Sequence, residues 1–363
     1  MRYISTTDVE EIALGSTVLG TGGGGDPYIG KLLAQATIKK HGDVKLISAE
    51  ELDNDALVVP VAAFGAPMIL IEKLFSGNEF TNAFEMMENY LGRKIDAVMS
   101  AEAGGFNGVI PLTVAAEKKV PLVDADGMGR AFPRLEMVTF TLHGIPVSPI
   151  AQADEKGNKN IYETIDNIWG ETLVGSTTIP MGGSCAIACY PMTGAQVKKA
   201  AVLDIISYAQ ELGKTILNAK SKGLNPLTSL VERANAIPLF KGKISKVTNV
   251  VDGRWNKGLC EILGADDYHG SHMEIDFQNE FLMAKLNGNP VAITPDLITL
   301  LDAESAKPIT AESLQFGTRV VVVGMKANEQ WRTPAGIALG GPQKFGYEEK
   351  FVPIEDLNKT SYV

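Results

Sequence analysis

Four consecutive glycines, Gly22 to Gly25, interrupt the chain inside the run Leu19-Gly20-Thr21-Gly22-Gly23-Gly24-Gly25-Asp26-Pro27. Glycine loses more conformational freedom on folding than any other residue, so such a run is costly for a plain turn. Apolar residues recur at helical spacing before it, from Val9 to Leu19, and after it, from Tyr28 to Lys40. Successive glycines ahead of a helix let backbone N–H groups converge on an anion, which makes Gly22, Gly23, Gly24, Gly25 and Asp26 candidates for holding a carboxylate or phosphate. The other reading is a tight turn in a crowded place. The run lacks the Lys and Ser/Thr of a P-loop, and it follows a helix rather than a strand, so the nucleotide fingerprints fit poorly.

Beyond the glycines, short apolar runs at Val44 to Ile47, Ala56 to Ala63, Ala97 to Ser100 and Pro121 to Asp124 read as buried strands. Helical patterns at Asn82 to Leu91 and Asn107 to Lys118 lie between some of them. This alternation predicts an α/β N-terminal domain with a mainly parallel sheet. Met137 to Leu142 and Val147 to Ala151 read as further strands, and Asp154-Glu155-Lys156-Gly157-Asn158 as the turn of a hairpin. Ala195 to Lys222 has the pattern of one long amphipathic helix. From Phe240 onward short β-like runs dominate, so the C-terminal part is expected to be α+β, with a helical layer at 195–235 and a β-rich barrel or sandwich over 240–350. The boundary between the two parts is placed near residue 165.

The chain has 363 residues, 45% of them hydrophobic, enough for two domains. A formal charge of −10 repels polyanions and no basic run offsets it, so neither nucleic acid nor an anionic membrane is an expected partner. Met1 to Glu10 lacks the basic and apolar segments of a signal peptide, and the expected location is the cytoplasm. Three cysteines, Cys185, Cys189 and Cys260, are too few for a disulfide framework. Symmetric oligomers are common among chains of this size, so a homo-oligomer is expected on that ground alone.

Two segments at predicted strand ends carry the polar chemistry, where open α/β sheets bind ligands. Glu102-Ala103-Gly104-Gly105-Phe106-Asn107 supplies Glu102 as a candidate acid and Asn107 as a polar contact, or simply a loop acid and a helix cap. Asp124-Ala125-Asp126-Gly127-Met128-Gly129-Arg130 supplies two candidate general bases, Asp124 and Asp126, and Arg130 as a clamp for a substrate carboxylate; the competing reading is an internal ion pair. Cys185 is a possible nucleophile with no histidine near it in sequence. The His and Asp residues of Asp266 to His272 lack a compelling ligand pattern, and neither a metal nor a cofactor is expected. Phe277-Gln278-Asn279-Glu280 either satisfies a strand end, the preferred reading, or gives the cleft a second wall.

Taken together, the glycine run, Gly65-Ala66-Pro67 followed by Glu72-Lys73, Glu102 with Gly104-Gly105, and Asp124 to Pro133 resemble the S-methyl thiohydantoin desulfurase family. The resemblance continues through Asp154 to Asn158, Phe240 to Lys243, Phe277 to Glu280, Thr294 to Ile298 and Phe345 to Tyr347, nearly the whole chain. Arg134-Leu135-Glu136 and Ser184-Cys185 depart from the family's pattern. The resemblance implies an α/β domain, a β-rich domain, and chemistry on a thiohydantoin or hydantoin-like ring. Hydrolytic desulfurisation of such a ring needs a base for water, here Asp124 or Asp126, and a proton donor, here Glu102. Two alternatives stand beside it: hydantoin-type ring hydrolysis, with or without ATP, and a non-catalytic small-molecule binder.

Overall fold

The computed structural model describes residues 1–66, 69, 73, 75–252 and 255–359. The first sheet is built from β1 (Arg2–Ile4), β2 (Val44–Ile47), β3 (Leu57–Gly65), β4 (Ala97–Ser100) and β5 (Leu122–Val123). It is completed by β7 (Ile150–Ala153), β8 (Lys159–Tyr162) and β9 (Ser184–Ala188), with β10 (Met192–Thr193) beside β3. The order is β1-β2-β5-β4-β3-β9-β7-β8. Parallel pairing is confined to β2, β5, β4 and β3, and every other contact is antiparallel. The sheet is therefore mixed, not mainly parallel. The cause is local: the Asp154–Asn158 turn joins β7 to β8 as a hairpin, which can only be antiparallel. β9, from beyond residue 165, fills the gap between β3 and β7.

Two sequence expectations fail in this layer. Met137 to Leu142 is not a strand; Thr139–Leu142 is a single helical turn, tied back by the Thr139 amide to Gly127 O. The long helix expected from Ala195 breaks into Gly194–Ala200 and Ile205–Ser221. Between them β11 (Val202–Leu203) pairs with β6 (Ala125–Asp126), and Asp204 takes a positive φ of 59° to restart the helix. That second helix packs on α1 (Asp8–Leu19) so closely that a Cβ on Gly15 would lie 1.7 Å from Ala209 O.

The second sheet is antiparallel throughout: β12 (Ile237–Asp252), β13 (Trp255–Gly264), β14 (His272–Gln278), β15 (Glu280–Leu286), β16 (Asn289–Ile293), β17 (Leu297–Asp302), β18 (Pro308–Ile309) and β19 (Arg319–Met325). Its order, β16-β15-β14-β13-β12-β19-β17-β18, leaves the two end strands unpaired with each other. It is an open sheet, and the closed barrel among the expectations is not formed. Alternation explains the continuous apolar sequences of β17 and β19. Ile298, Leu300, Val320 and Val322 face the core of the second sheet, while Leu297, Leu301, Val321 and Val323 face the core of the first.

Arg130 fastens this junction. It is fully buried, and its guanidinium donates to Pro295 O at 2.5 Å, Asp296 O at 3.1 Å, Thr21 Oγ1 at 3.0 Å and Ala131 O at 2.9 Å, with the Phe132 ring 4.2 Å away. Removing it strands several buried acceptors. Arg130→Ala is expected to cost about 3–5 kcal/mol in denaturant unfolding; a loss under about 1 kcal/mol would contradict the role.

Candidate functional site

The glycine run explains itself by close approach. The Phe281 amide donates to Thr21 O at 2.7 Å, Ala311 to Gly22 O at 2.9 Å, Phe106 to Gly25 O at 3.1 Å and Asn107 to Gly24 O at 3.4 Å. The loop's carbonyls thus bind both the second sheet and the Glu102 segment. A Cβ on Gly23 would lie 2.1 Å from Glu280 Oε1, and one on Gly24 would lie 2.4 Å from the Gly104 carbonyl carbon. Gly22, Gly24 and Gly25 also hold φ near +80°, a region glycine enters without cost. Asp26 caps α2 (Pro27–His41) by accepting from the Tyr28 amide.

Where this loop meets both sheets there is a cleft, partly open to solvent. Gly24 and Gly25 line it; Gly22 and Gly23 lie instead against Phe281 and Glu280. Ala62, Phe64, Met128, Phe132, Leu135, Ile187 and Trp255 supply apolar walls, and Glu102, Asn107, Arg134, Asn279 and Glu280 the polar groups. Glu102 leaves the end of β4 by way of Ser100, whose hydroxyl donates to Glu102 O at 2.6 Å. Asn107 then fixes the carboxyl, its amide donating to Glu102 Oε1 at 2.6 Å. The same amide is anchored on β3, accepting from Ala63 N at 2.8 Å and donating to Ala63 O at 3.2 Å. Asn107 is therefore no helix cap; the helix it was read into begins only at Pro111.

Glu280 enters from the opposite wall. Asn279 makes the reversal between β14 and β15 with a φ of +61°, and its side chain accepts from the Asn256 amide at 2.8 Å. Glu102 Oε2 and Glu280 Oε2 are both buried and, among the described residues, without a hydrogen-bond partner. Burial pushes the Glu102 carboxyl up to about 7, with hydrogen bonds from the Asn107 side chain and the Phe132 backbone amide pulling the other way. Glu280 is raised well above the ordinary carboxylate range, first by burial and then by the charge of Glu102, with Arg130 opposing. Sequence reasoning preferred a strand-end role for Glu280 and kept the second wall of the cleft, where the structure places it, as the alternative. Its one signal was an acid set between Asn279 and the apolar run Phe281 to Ala284.

The remaining candidates lie outside the cleft lining. Asp124 caps the helix Ile205–Ser221, accepting from the Ile206 and Ser207 amides at 2.9 and 3.0 Å and from the Ser207 hydroxyl. Asp126 is buried behind the cleft, accepting from the Ala103 amide at 2.6 Å, Gly129 at 2.8 Å and Met128 at 3.1 Å; burial lifts it to about 7 against the pull of these donors. It pins the Glu102 loop to the following turn. Arg130 is spent on the junction described above. Cys185 is buried beneath Phe64 O with Gln152 and Thr178 beside it, and burial raises its thiol pKa. Pro67 and Glu72 lie outside the described residues. Among those described, no three His, Cys, Asp or Glu side chains converge in metal-binding geometry, and no helix is long and apolar enough to cross a membrane.

A cleft between the two sheets, with apolar walls and a few convergent polar groups, has the form of a small-molecule pocket. Residues 7–164 match the family profile described as S-Me-THD-like, N-terminal domain, and residues 165–354 match its S-Me-THD-like, C-terminal domain counterpart. The chain belongs to the S-methyl thiohydantoin desulfurase family. A crystal structure of a protein from Chromobacterium violaceum superposes with a TM-score of 0.80 at 22% identity, over 98% of this chain and 100% of that one, which establishes the shared fold. No curated protein matches the chain.

The raised Glu102 carboxyl links stability to pH. Its folded value of about 7 exceeds the ordinary 4.5, so the native state holds the extra proton between those limits. The stabilisation is complete below pH 4.5 and is lost as pH rises through 7. Glu102→Gln removes this dependence. Relative to the native chain the variant should gain up to about 3 kcal/mol between pH 4.5 and pH 8, read by denaturant unfolding. An unfolding difference that stays constant across that range would refute the assignment.

Proposed function

We propose that this protein is a hydrolase that removes the sulfur substituent from a thiohydantoin or S-methyl thiohydantoin ring. The observation that carries this reading is the pair Glu102 and Glu280, two buried carboxyls in one cleft, each with an oxygen lacking a partner, in a chain of this family. Like charges in a poorly solvated space cannot both ionise readily, so at neutral pH the pair holds one proton. Glu280, raised further, keeps it; Glu102, held by the Asn107 amide, carries the charge.

In the S-methyl ring the sulfur-bearing carbon is double-bonded to nitrogen. Glu102 takes a proton from water as the oxygen bonds to that carbon, and Glu280 protonates the ring nitrogen. In the collapse, ionised Glu280 takes the hydroxyl proton as the carbonyl forms. The C–S bond breaks, and the sulfur leaves as methanethiol with the proton held by Glu102. Water has then supplied one hydrogen to nitrogen and one to sulfur, and both carboxyls are back in their starting states. In the unsubstituted thiohydantoin the carbon is double-bonded to sulfur instead, so Glu280 protonates the sulfur as water adds, then takes the hydroxyl proton as the carbonyl forms, and the sulfur leaves as hydrogen sulfide with the proton held by Glu102. This division replaces the aspartate base expected from sequence, because Asp124 and Asp126 turn their carboxyls to backbone amides.

Methanethiol release from S-methyl thiohydantoin and its 5-propionate, followed with ring absorbance, tests the reading. Glu102→Gln and Glu280→Gln should each lower kcat by about 10²–10⁴. Near-native turnover in both variants would remove the pair from the mechanism. Saturable ring binding without turnover by the native protein would instead favour a binding role.

A further inference from the structure

The helix Asn167–Thr178 presents no charge to solvent. Its one ionisable side chain, Glu171, is buried and accepts from the Leu135 amide at 2.8 Å. Gly170, Val174 and Thr178 are buried with it, while Ile168, Trp169, Thr172 and Ser176 face outward. Ile168 is 55% and Trp169 48% exposed, and Ile165 just before the helix and Ile179 just after it are 86% and 72% exposed. Asp166 stands at one end of this stripe, capping the helix by accepting from the Trp169 amide at 2.8 Å. Around the helix axis Ile168, Trp169, Thr172, Ser176 and Ile179 fall within an arc of about 100°. A surface helix carries its charged residues on the outer face, and an outer stripe this apolar belongs to a helix that a partner covers.

The stripe is complementary to itself. Ile168 and Trp169 occupy one end, Ile179 the other, and the small residues Thr172, Gly175 and Ser176 the middle. Turned end for end about a two-fold axis beside Thr172, it sets Trp169 of the partner subunit over Ser176 and brings Ile179 beside Ile165 of the partner subunit. The receiving surface is already hollow. A groove runs along the helix, with Thr172, Gly175, Ser176 and Ile179 on one side and Trp255 and Arg134 on the other. Glu171 also lines it and matches Arg134 in charge, so the described walls bring no net charge to the contact. Elsewhere the formal charge of −10 sets copies of this chain against one another. The stripe and the groove walls together offer on the order of 600 Å² per copy, the lower limit for a specific dimer.

We propose that this face is the interface of a two-fold dimer, in which the helix Asn167–Thr178 pairs antiparallel with its copy and each Trp169 fills the groove of the other subunit. Trp255 and Arg134 line both that groove and the Glu102 cleft, so the indole of the partner subunit ends against the outer wall of the cleft. The contact is built outside the carboxyl pair and does not depend on the desulfurase reading.

Sedimentation of the full chain tests the interface. Wild type should run as a dimer at micromolar concentration, and salt should not dissociate it, because no ion pair holds the stripe together. Ile168→Asp combined with Trp169→Ser, both at exposed positions, should raise the dissociation constant about 100-fold while the far-ultraviolet circular dichroism stays that of the native chain. Thr172→Cys, beside the axis, should form an intermolecular disulfide under mild oxidation. Tyr3→Cys, on β1 at the opposite edge of the first sheet, should not, and the native cysteines are buried and silent. A dimer that survives the double substitution, or a Thr172→Cys chain that fails to crosslink, overturns the proposed face. A monomeric wild type overturns it as well and leaves the stripe to a partner other than this chain.

Discussion

Backbone approaching backbone more closely than a Cβ permits is the constraint on which the rest of this structure depends. Gly24 lies against Gly104, and Gly23 lies against the carboxyl of Glu280. A side chain at either place would push the first sheet's loops away from the second sheet. The carbonyls of Thr21 and Gly22 complete the join by accepting from Phe281 and Ala311. One loop therefore serves as the wall of the cleft and as the hinge pin of the whole molecule. The conformational cost of ordering four glycines is offset by these hydrogen bonds and by the apolar surface the two sheets bury together.

The same junction sets the chemistry. Carboxyls that face each other out of water favour protonated states, and the two in this cleft are kept there by unrelated devices. Glu102 is aimed by an asparagine clamped to the backbone of β3. Glu280 is aimed by a left-handed Asn279 whose side chain is held by the neighbouring strand. Asp126 acts one layer behind, fixing the Ala103 amide and so the loop that carries Glu102. Each of the two carboxyls depends on a buried polar neighbour, which explains why so many hydrogen-bonding side chains are buried around an otherwise apolar cleft.

Much of the first layer was legible because strand runs and helical periods are local signals. Val44 to Ile47 and Ala97 to Ser100 form strands with the expected limits, and the turn at Asp154 to Asn158 makes the expected hairpin. Errors arose where a distant segment overrode local preference. The stretch from Ala195 carries a continuous helical pattern, yet Asp124 captures the Ile206 amide and β6 captures Val202, so the helix must restart. Glu102 and Asn107 were legible from their place after a strand. Glu280 was legible only as part of a less preferred second wall, because its significance comes from Glu102, far away in sequence, and a single sequence carries no trace of that meeting. Asp124 and Arg130 showed the reverse failure. Polar residues beside glycines at a strand end are equally suited to binding a ligand and to binding the protein's own backbone.

The loop that joins the sheets also fixes an order of assembly. Thr299 donates to Val18 O across 281 positions, and Phe281 and Ala311 reach back to Thr21 and Gly22. When the glycine loop leaves the ribosome, every one of those partners is still unmade. The N-terminal sheet must wait for β9, and the cleft for β15, so the growing chain carries an unfinished pocket through most of its synthesis. Contacts this distant are closed slowly, and half-built sheets of this kind expose the edges and apolar faces on which chaperones act.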